Sequence, residues 1–371
     1  MIPGKASADG TAAFAKGRPG CHAGHWRNAL GLTVSSLGMG TYLGNADPVT
    51  DGKYAAAVLK SLVLGINVFD SAINYRYQRS ERSVGAGLKK AIEAGTVTRD
   101  HVLLCTKGGF IAGELEPPTK EWFEETFVKT GIITAGEEIV AGGHCMSPKY
   151  LKFGVEQSRK NLGVETIDVF YVHNPETQIP VVGPAEFYRR LTEAFRALEE
   201  CAAEGKIQFY GTATWQAYRV PETDPSFVSL AETLKCAEAA GGPGHRFKAV
   251  QFPANLGLPE AYRLETQPRG ETLVPAARAA SEAGLAVFTS VPLMQSQLLG
   301  RFSPSFKTRF TGLKTDAQRC LQFARSVPGI TAPLCGTKDV EHVEENARVA
   351  AVPPLTPDEV EGFWTRPPAP T

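Results

Sequence analysis

Four side chains of different chemistry lie at the ends of short apolar runs, in a pattern that suits hydride transfer to a carbonyl group. Asp70 ends one run, Lys107 and His173 end two others, and Tyr75 lies just after Asp70. Negative charge develops on the carbonyl oxygen during such a transfer, so the oxygen needs a proton donor. Tyr75 suits that role if Lys107 lowers its phenol pKa from about 10. Asp70 would balance the charge of Lys107, and His173 would donate a hydrogen bond to the oxygen.

Each of these residues has an ordinary structural explanation when it is taken alone. Asp70 could cap a turn, Lys107 could be a solvated strand end, and His173 could be a hydrogen-bonded imidazole of the core. Tyr75 could simply pack beside its neighbours. The joint pattern, with all four types near the ends of neighbouring strands, favours one shared pocket.

The segments that must position these residues alternate in character. Short β-branched or aromatic runs alternate with segments of helical period, which is typical of βα units and a parallel sheet. The predicted strands are Leu37–Thr41, Asn67–Ala72, His101–Lys107, Ile167–His173, Ile207–Thr214, Lys248–Pro253, Ala286–Pro292 and Ile330–Gly336. The predicted helices are Lys53–Leu64, Ser80–Ala94, Pro148–Leu162, Pro184–Ala203, Ser226–Ala240, Thr272–Ala283 and Asp316–Ser326. Eight strands favour a closed (β/α)8 TIM barrel, whose chemistry lies at the carboxyl ends of the strands.

Three segments stand outside this alternation. Residues 1–28 are rich in Gly, Ala and Ser, which predicts an irregular and loosely packed lead-in. Leu30–Ser36 has strand character around Gly31, and we expect a small hairpin that closes the floor of the barrel. Residues 108–147 form a long insertion after the third strand, of the kind that is more often a lid or binding loop than a domain. Residues 29–371 are otherwise predicted to be one barrel domain.

The aromatic residues of this insertion allow two interpretations. They could wall a pocket, or they could form a small local core. The residues concerned are Phe110, Trp122, Phe123 and Phe127.

The composition favours a small-molecule partner. Lys and Arg together number 39 and balance the 39 Asp and Glu, so no net charge attracts the 371-residue chain to nucleic acid or to an anionic membrane. No apolar stretch is long enough to span a bilayer, and a cytoplasmic location is expected.

The seven cysteines are scattered without a CxxC pair, which indicates reduced thiols. Neither Cys21-His22 nor His144-Cys145 has a matching set of ligands elsewhere that would predict a metal site. Oligomeric state stays open.

The segment Phe69-Asp70-Ser71-Ala72, followed by Tyr75, resembles the second strand and following loop of the aldo-keto reductases. Further matches follow in the order of that family: Thr106-Lys107, Tyr171-Val172-His173, Gly205-Lys206-Ile207, Val250-Gln251, Pro292-Leu293, Gly336-Thr337-Lys338 and Glu345-Asn346. The resemblance covers roughly residues 30–350. It implies a (β/α)8 barrel that uses NADPH, or less often NADH, with Asp70, Tyr75, Lys107 and His173 as the catalytic tetrad.

The same resemblance implies a set of cofactor-binding residues. Gly40 and Thr41 would lie near the nicotinamide, Gln251 would contact its carboxamide, and residues from Gly336 onward would hold the adenosine end. The implied set is Gly40, Thr41, Asp70, Thr214, Gln251, Ser290, Leu293, Gly336, Thr337, Lys338, Glu345 and Asn346. Thr214 stands where many members carry a Ser-Asn pair, and Ser290 stands where many carry a Tyr that stacks on the nicotinamide. Lys338 or His342 would take the place of the basic residue that reads the 2′-phosphate, so the choice between NADP and NAD stays open.

Three functions remain open on this evidence. The first is an oxidoreductase that reduces an aldehyde or ketone, or oxidises an alcohol or sugar in reverse, with Tyr75 as the general acid. The second, motivated by the altered carboxamide and stacking positions, is a redox-sensing or regulatory barrel that binds the cofactor with little turnover. The third is a lyase or aldolase in which Lys107 forms a Schiff base, which would leave Tyr75 and His173 without a role.

Overall fold

Eight parallel strands close into a barrel in the computed structural model, which describes residues 1–134 and 138–365. The strands of the described residues are β1 (Trp26–Ala29), β2 (Leu32–Ser35), β3 (Gly38–Gly40), β4 (Val68–Asp70), β5 (Leu103–Gly108), β6 (Ile167–His173), β7 (Ile207–Ala213), β8 (Phe247–Pro253), β9 (Glu265–Arg269), β10 (Thr272–Pro275), β11 (Ala286–Ser290) and β12 (Ala332–Gly336). The barrel runs from β3 through β8 to β11 and β12, and β12 pairs in parallel with β3 to close it. Each barrel strand overlaps one predicted strand, which confirms the (β/α)8 class.

The α-helices of the described residues are α1 (Ala8–Lys16), α2 (Pro48–Val63), α3 (Arg79–Glu93), α4 (Lys120–Phe123), α5 (Pro148–Leu162), α6 (Ile179–Val182), α7 (Pro184–Ala203), α8 (Leu230–Gly241), α9 (Glu260–Arg263), α10 (Ala276–Glu282), α11 (Pro304–Lys307), α12 (Asp316–Ser326), α13 (Val340–Ala347) and α14 (Pro357–Glu361). Seven of them, α2, α3, α5, α7, α8, α10 and α12, overlap the seven predicted ones, and the others were not predicted. Among the described helices, none is long and apolar enough to cross a membrane. The helix predicted over Thr272–Ala283 begins only at Ala276, because β10 pairs with β9 around Gly270.

The hairpin of β1 and β2 closes the amino-terminal end of the barrel, as predicted. Its two turn residues, Leu30 and Gly31, have φ values of 59° and 71°, the left-handed conformation that a tight antiparallel hairpin requires. Leu32 and Val34 are buried in the same apolar cluster as the barrel residues Val68, Leu103 and Phe288. Because this end is filled, the carboxyl ends of the strands are left to form a site.

The expectation of an irregular lead-in is wrong at Ala8–Lys16, which forms α1. Ser7 caps the helix by accepting a hydrogen bond from the Gly10 N–H. Phe14 is buried and packs edge-to-face on Trp26, with 5.9 Å between ring centroids. Phe14 is the one large apolar residue of α1, so the sequence of this segment lacks the regularly spaced apolar residues that mark an amphipathic helix.

The insertion after β5 contains α4 and a π-helix over Glu124–Val128. Phe127 is buried among Trp122, Phe123 and Tyr150, whereas Phe110 faces the barrel end. Three of the four insertion aromatics therefore form a local core, and one forms a pocket wall. Residues 135–137 of the insertion and 366–371 of the predicted barrel domain lie outside the described residues, and the domain bounds stay a prediction.

Candidate active site

Three neighbouring strands end side by side and bring the predicted tetrad together. β4 ends at Asp70, β5 carries Lys107 next to its last residue, and β6 ends at His173. The loop after β4 is held on β5, because the Ile73 N–H donates to the Lys107 carbonyl at 3.1 Å. This hydrogen bond keeps the loop that carries Tyr75 beside Lys107.

Lys107 lies at the centre of the cluster and is fully buried. Its Nζ donates to Asp70 Oδ2 at 2.5 Å and to the Ser71 carbonyl at 2.8 Å, and it lies 3.5 Å from the Tyr75 hydroxyl. Gln251 Nε2 donates to the other oxygen of Asp70, Oδ1, at 2.9 Å. The carboxylate is thus held from both sides, and the lysine is held against the phenol.

The electrostatics of the pair differ from the expectation at one point. Burial lowers the pKa of Lys107, but the charges of Asp70 and Tyr75 and the hydrogen bonds to both together outweigh it, and the pKa is raised. Burial also raises the pKa of Tyr75, and the opposing effect of Lys107 is smaller. The expectation that Lys107 lowers the phenol pKa below its ordinary value is therefore wrong for the protein alone, and Tyr75 keeps its proton at neutral pH.

His173 faces Tyr75 across the mouth of the cluster, with 5.8 Å between ring centroids. Burial and the charge of Lys107 lower its pKa well below the ordinary value, so the ring is neutral at physiological pH. Nδ1 is buried without a partner among the described residues. In a neutral imidazole only one nitrogen is protonated. With the proton on Nε2, the His173 ring can donate a hydrogen bond to a carbonyl oxygen.

A cavity of about 480 Å³ opens above the tetrad. Eight of the residues implied for the cofactor line it: Gly40, Thr41, Asp70, Thr214, Gln251, Ser290, Leu293 and Gly336. Of the tetrad, Asp70, Tyr75 and His173 line it as well, and Lys107 lies behind Tyr75. The structure thus places most of the predicted residues around one space.

Four residues implied for the adenosine end are not part of this lining. Asn346 Nδ2 donates to Thr337 Oγ1 at 3.3 Å, and both side chains are buried. Glu345 accepts a hydrogen bond from Thr315 at 2.6 Å, and Lys338 forms an ion pair with Asp339 at 3.4 Å. These residues lie beyond the end of β12, on or next to α13, and their binding role stays a prediction.

The loop after β11 is a feature that sequence reasoning missed. Val291, Met294, Gln295 and Ser296 all have φ between 47° and 70° although none is glycine. Such a conformation costs about 1 kcal/mol or more at each residue, and it concentrates at ligand sites. Within the described chain, the N–H groups of Leu293, Gln295 and Ser296 have no hydrogen-bond acceptor, and all three residues line the cavity. The signal in the sequence was weak, because no glycine marks the turns.

Polar and aromatic residues next to the predicted ones were also missed. Asn74, Asn174 and Trp215 line the cavity. Each follows a barrel strand by one to a few residues, so its position after a strand was the available signal. Buried Glu176 holds the loop that carries Trp215, because its Oε1 accepts hydrogen bonds from the Trp215 N–H at 2.6 Å and the Gln216 N–H at 3.3 Å.

Glu176 makes stability depend on pH. Burial raises its pKa from 4.5 to about 7, although the hydrogen bonds from Trp215 and Gln216 oppose this shift. Between these two pH values the unfolded chain has released the proton and the folded chain retains it, so stability falls as pH rises from 4.5 to about 7. The loss amounts to about 3 kcal/mol. We expect Glu176→Gln to remove this part of the pH dependence in denaturant unfolding at pH 5 and pH 8.

Glu238→Gln, at an exposed position of α8, is the matched control and should leave the wild-type pH dependence unchanged. The same difference in unfolding free energy between pH 5 and pH 8 in wild type and Glu176→Gln would contradict the assignment.

Comparisons with known proteins agree with this geometry. The sequence model of the aldo/keto reductase family matches residues 36–231 of this chain. A putative voltage-gated potassium channel subunit beta of Schizosaccharomyces pombe is 28% identical over 191 residues, which are 51% of this chain and 44% of that protein. An NADH-specific methylglyoxal reductase of Escherichia coli is 26% identical over 198 residues, 52% of each chain. A D-threo-aldose 1-dehydrogenase of a Pseudomonas species is 27% identical over 236 residues, 58% of this chain and 65% of that one. The matches thus span about half the length of these relatives.

Solved structures share the fold over nearly the whole chain. An aldo-keto reductase of Bacillus halodurans in its holo form has a TM-score of 0.60 at 21% identity, covering 91% of this chain and 95% of that one. An aldo/keto reductase of Klebsiella pneumoniae in complex with NADP and acetate has a TM-score of 0.59 at 19% identity, covering 92% and 95%. At this identity, the likeness establishes the barrel fold.

Proposed function

Because the chain belongs to the aldo/keto reductase family, we propose that it is an NADPH-dependent oxidoreductase that reduces an aldehyde or ketone to an alcohol. The reverse oxidation of an alcohol or sugar uses the same groups. The observation that carries the proposal is the contact of Lys107 with both Asp70 and Tyr75, beside a neutral His173. NADH is the alternative cofactor.

The four side chains divide the work on the carbonyl group. His173 donates a hydrogen bond to the carbonyl oxygen and orients it. Tyr75 donates its proton to the same oxygen as negative charge develops there, and it acts as the base in the reverse direction. Lys107 stabilises the phenolate that results, and Asp70 keeps Lys107 charged and in place.

The residues around the cavity suit a nicotinamide dinucleotide, which supplies the hydride when bound. Gln251 Nε2 donates to Asp70. The Oε1 of Gln251 meets no donor among the described residues and can accept a hydrogen bond from the carboxamide of the nicotinamide. The free N–H groups of Leu293, Gln295 and Ser296 can donate to phosphate oxygens. Ser290 has no ring that could stack on the nicotinamide. We therefore expect the nicotinamide end of the cofactor to be bound less tightly than it would be with a Tyr at this position.

The walls of the cavity favour a neutral carbonyl compound with an apolar or aromatic body. Tyr42, Phe110 and Trp215 line the space above the tetrad, with Asn74 and Asn174 as neutral polar groups. None of the described lining residues is Lys or Arg. A carboxylate or phosphate group on the substrate would therefore find no cationic partner in this cavity.

A cytoplasmic location and a small-molecule partner belong to the same proposal. All seven cysteines are free thiols, which suits a reducing compartment. Neither nucleic acid nor a membrane is expected as a partner, given the balanced charge of the chain.

Two alternatives were open from the sequence, and the geometry weighs on them differently. A Schiff base on Lys107 requires an unprotonated amine, and the ion pair with Asp70 disfavours that form. A redox-sensing barrel with little turnover remains the second candidate, and the similarity to a channel subunit supports it. It differs from the reductase only in whether bound cofactor is turned over.

Cofactor titration followed by turnover separates these functions. We expect NADPH fluorescence to change on binding, and the nicotinamide absorbance to decay with neutral aromatic aldehydes faster than with carboxylated ones, because the cavity lacks cationic walls. NADH is titrated in parallel. Binding without turnover across the aldehyde panel would favour the sensor, and absence of binding by either cofactor would refute both.

A further inference from the structure

The insertion contributes a second buried histidine directly behind the candidate catalytic one. His144 is completely buried, although it lies in the irregular segment that follows β5. Its Nε2 lies 2.8 Å from the carbonyl oxygen of His173. The tetrad does not use His144, and no part of the proposed reaction accounts for burying it there.

A chain of hydrogen bonds determines the tautomer of His144. Arg190 Nη1 donates to Gln178 Oε1 at 3.2 Å, which fixes the orientation of the Gln178 amide. Gln178 Nε2 therefore faces His144 Nδ1, at 3.1 Å, and donates to it. Nδ1 is the acceptor, so the proton of this ring is on Nε2 and is donated to the His173 carbonyl. Burial lowers the pKa of His144 to about 4, which keeps this neutral tautomer at physiological pH.

Phe110 links the two imidazoles from the cavity side. Its ring packs edge-to-face on His144, with 5.1 Å between centroids, and edge-to-face on His173, with 5.2 Å. His173 Nδ1 has no hydrogen-bond partner among the described residues. The orientation of the His173 ring therefore depends on its backbone and on packing. His144 holds the backbone carbonyl, and Phe110 packs on the ring together with Tyr75.

The backbone of the insertion is built to allow this approach. Phe110 and His144 form an antiparallel bridge, and the Cys145 N–H donates to the Gly109 carbonyl at 2.6 Å. A Cβ at Gly109 would lie 2.8 Å from the His173 carbonyl oxygen and 3.0 Å from His144 Nε2, and its φ is 153°. Glycine is required at this position because a side chain would separate the two histidines.

We propose that His144 is a positioning residue, which holds the His173 backbone and, with Phe110, sets the angle at which the His173 ring faces the substrate carbonyl. This proposal rests on the proposed reductase function. The insertion then contributes to the reaction in two ways: His144 supports His173 from behind the tetrad, and Phe110 forms part of the pocket wall.

The first test compares single and double variants in steady-state reduction. We expect His144→Phe to lower kcat by about 10- to 100-fold, since a small misplacement of a reacting group costs that much. The Kd of NADPH should stay unchanged, and His144→Gln, which keeps a donor and an acceptor, should recover part of the loss. In a His173→Gln background, His144→Phe should have no further effect, because its role passes through His173.

His25 is the matched control. It is also completely buried, with Nε2 3.0 Å from the Gly65 carbonyl, but it lies at the floor of the barrel. His25→Phe is expected to lower stability and leave kcat within a few-fold of wild type. Equal kcat losses in His25→Phe and His144→Phe, or an undiminished effect of His144→Phe in the His173→Gln background, would overturn the proposal.

Nitrogen NMR of histidine-labelled protein decides the case independently of turnover. We expect the ring nitrogens of His173 to change chemical shift in His144→Phe and in no comparable way in His25→Phe. Unchanged His173 shifts in His144→Phe would overturn the positioning role. If wild type reduces no carbonyl compound, the reductase function fails while these shifts still answer the question about His144.

Discussion

Replacing Tyr75 by Phe is expected to reduce the turnover of aldehydes by about 10²- to 10⁴-fold, the contribution typical of a positioned general acid. This corresponds to about 3 to 5 kcal/mol of activation free energy. The Tyr75 hydroxyl lies 3.5 Å from Lys107 Nζ, and burial raises its pKa, so it stays protonated at neutral pH. Phenylalanine preserves the ring packing on His173 and Tyr42 but removes the proton.

The measurement is kcat with the preferred aldehyde, together with the Kd of NADPH from fluorescence. Tyr42→Phe is the matched control, because Tyr42 lines the same cavity and its ring lies 5.0 Å from that of Tyr75. We expect the control to stay within a few-fold of wild type and the Kd to be similar in all three proteins. Turnover by Tyr75→Phe at the wild-type rate would show that another group supplies the proton.

Replacing Asp168 by Ala is expected to lower the free energy of unfolding by about 3 to 5 kcal/mol, because it leaves a buried Arg99 without its carboxylate. Asp168 is completely buried, and Arg99 Nη2 donates to its Oδ2 at 2.9 Å. The same carboxylate accepts from the N–H groups of Ala6 at 2.8 Å and Leu104 at 2.7 Å, and from Gln208 Nε2 at 2.6 Å. The substitution would therefore also leave two backbone donors without partners.

Denaturant unfolding of wild type and Asp168→Ala measures this loss. The control is Glu93→Ala, which removes an exposed ion pair with Lys89 and should cost less than about 1 kcal/mol. Since Ala6 precedes α1, hydrogen exchange at the amino-terminal segment should rise in Asp168→Ala as well. Equal free energies of unfolding for Asp168→Ala and Glu93→Ala would contradict the prediction, because Asp168 would then add no more stability than an exposed ion pair.

Several features of this protein follow from local sequence. The alternation of apolar runs and helical segments predicts all eight barrel strands, because each strand buries both faces and each helix buries one. The tetrad is predictable because Asp70, Lys107 and His173 stand at strand ends, where a parallel barrel gathers its side chains. The hairpin at Leu30–Ser36 is predictable because a two-residue turn with Gly31 has few alternatives.

Other features arise only from contacts between distant parts of the chain. The pKa of Tyr75 depends on the balance of burial against the charge of Lys107, and a sequence does not contain that balance. His144 reaches His173 across a separation of 29 positions, and Asp168 binds Ala6 across 162. The helix α1 forms against residues near the barrel floor rather than from its own apolar period. The sequence by itself determined the eight barrel strands and the side chains that end them, because those depend on near neighbours. Tertiary structure decided protonation, the supports of His173 and the ordering of the lead-in, because burial and long-range hydrogen bonds exist only once the barrel closes.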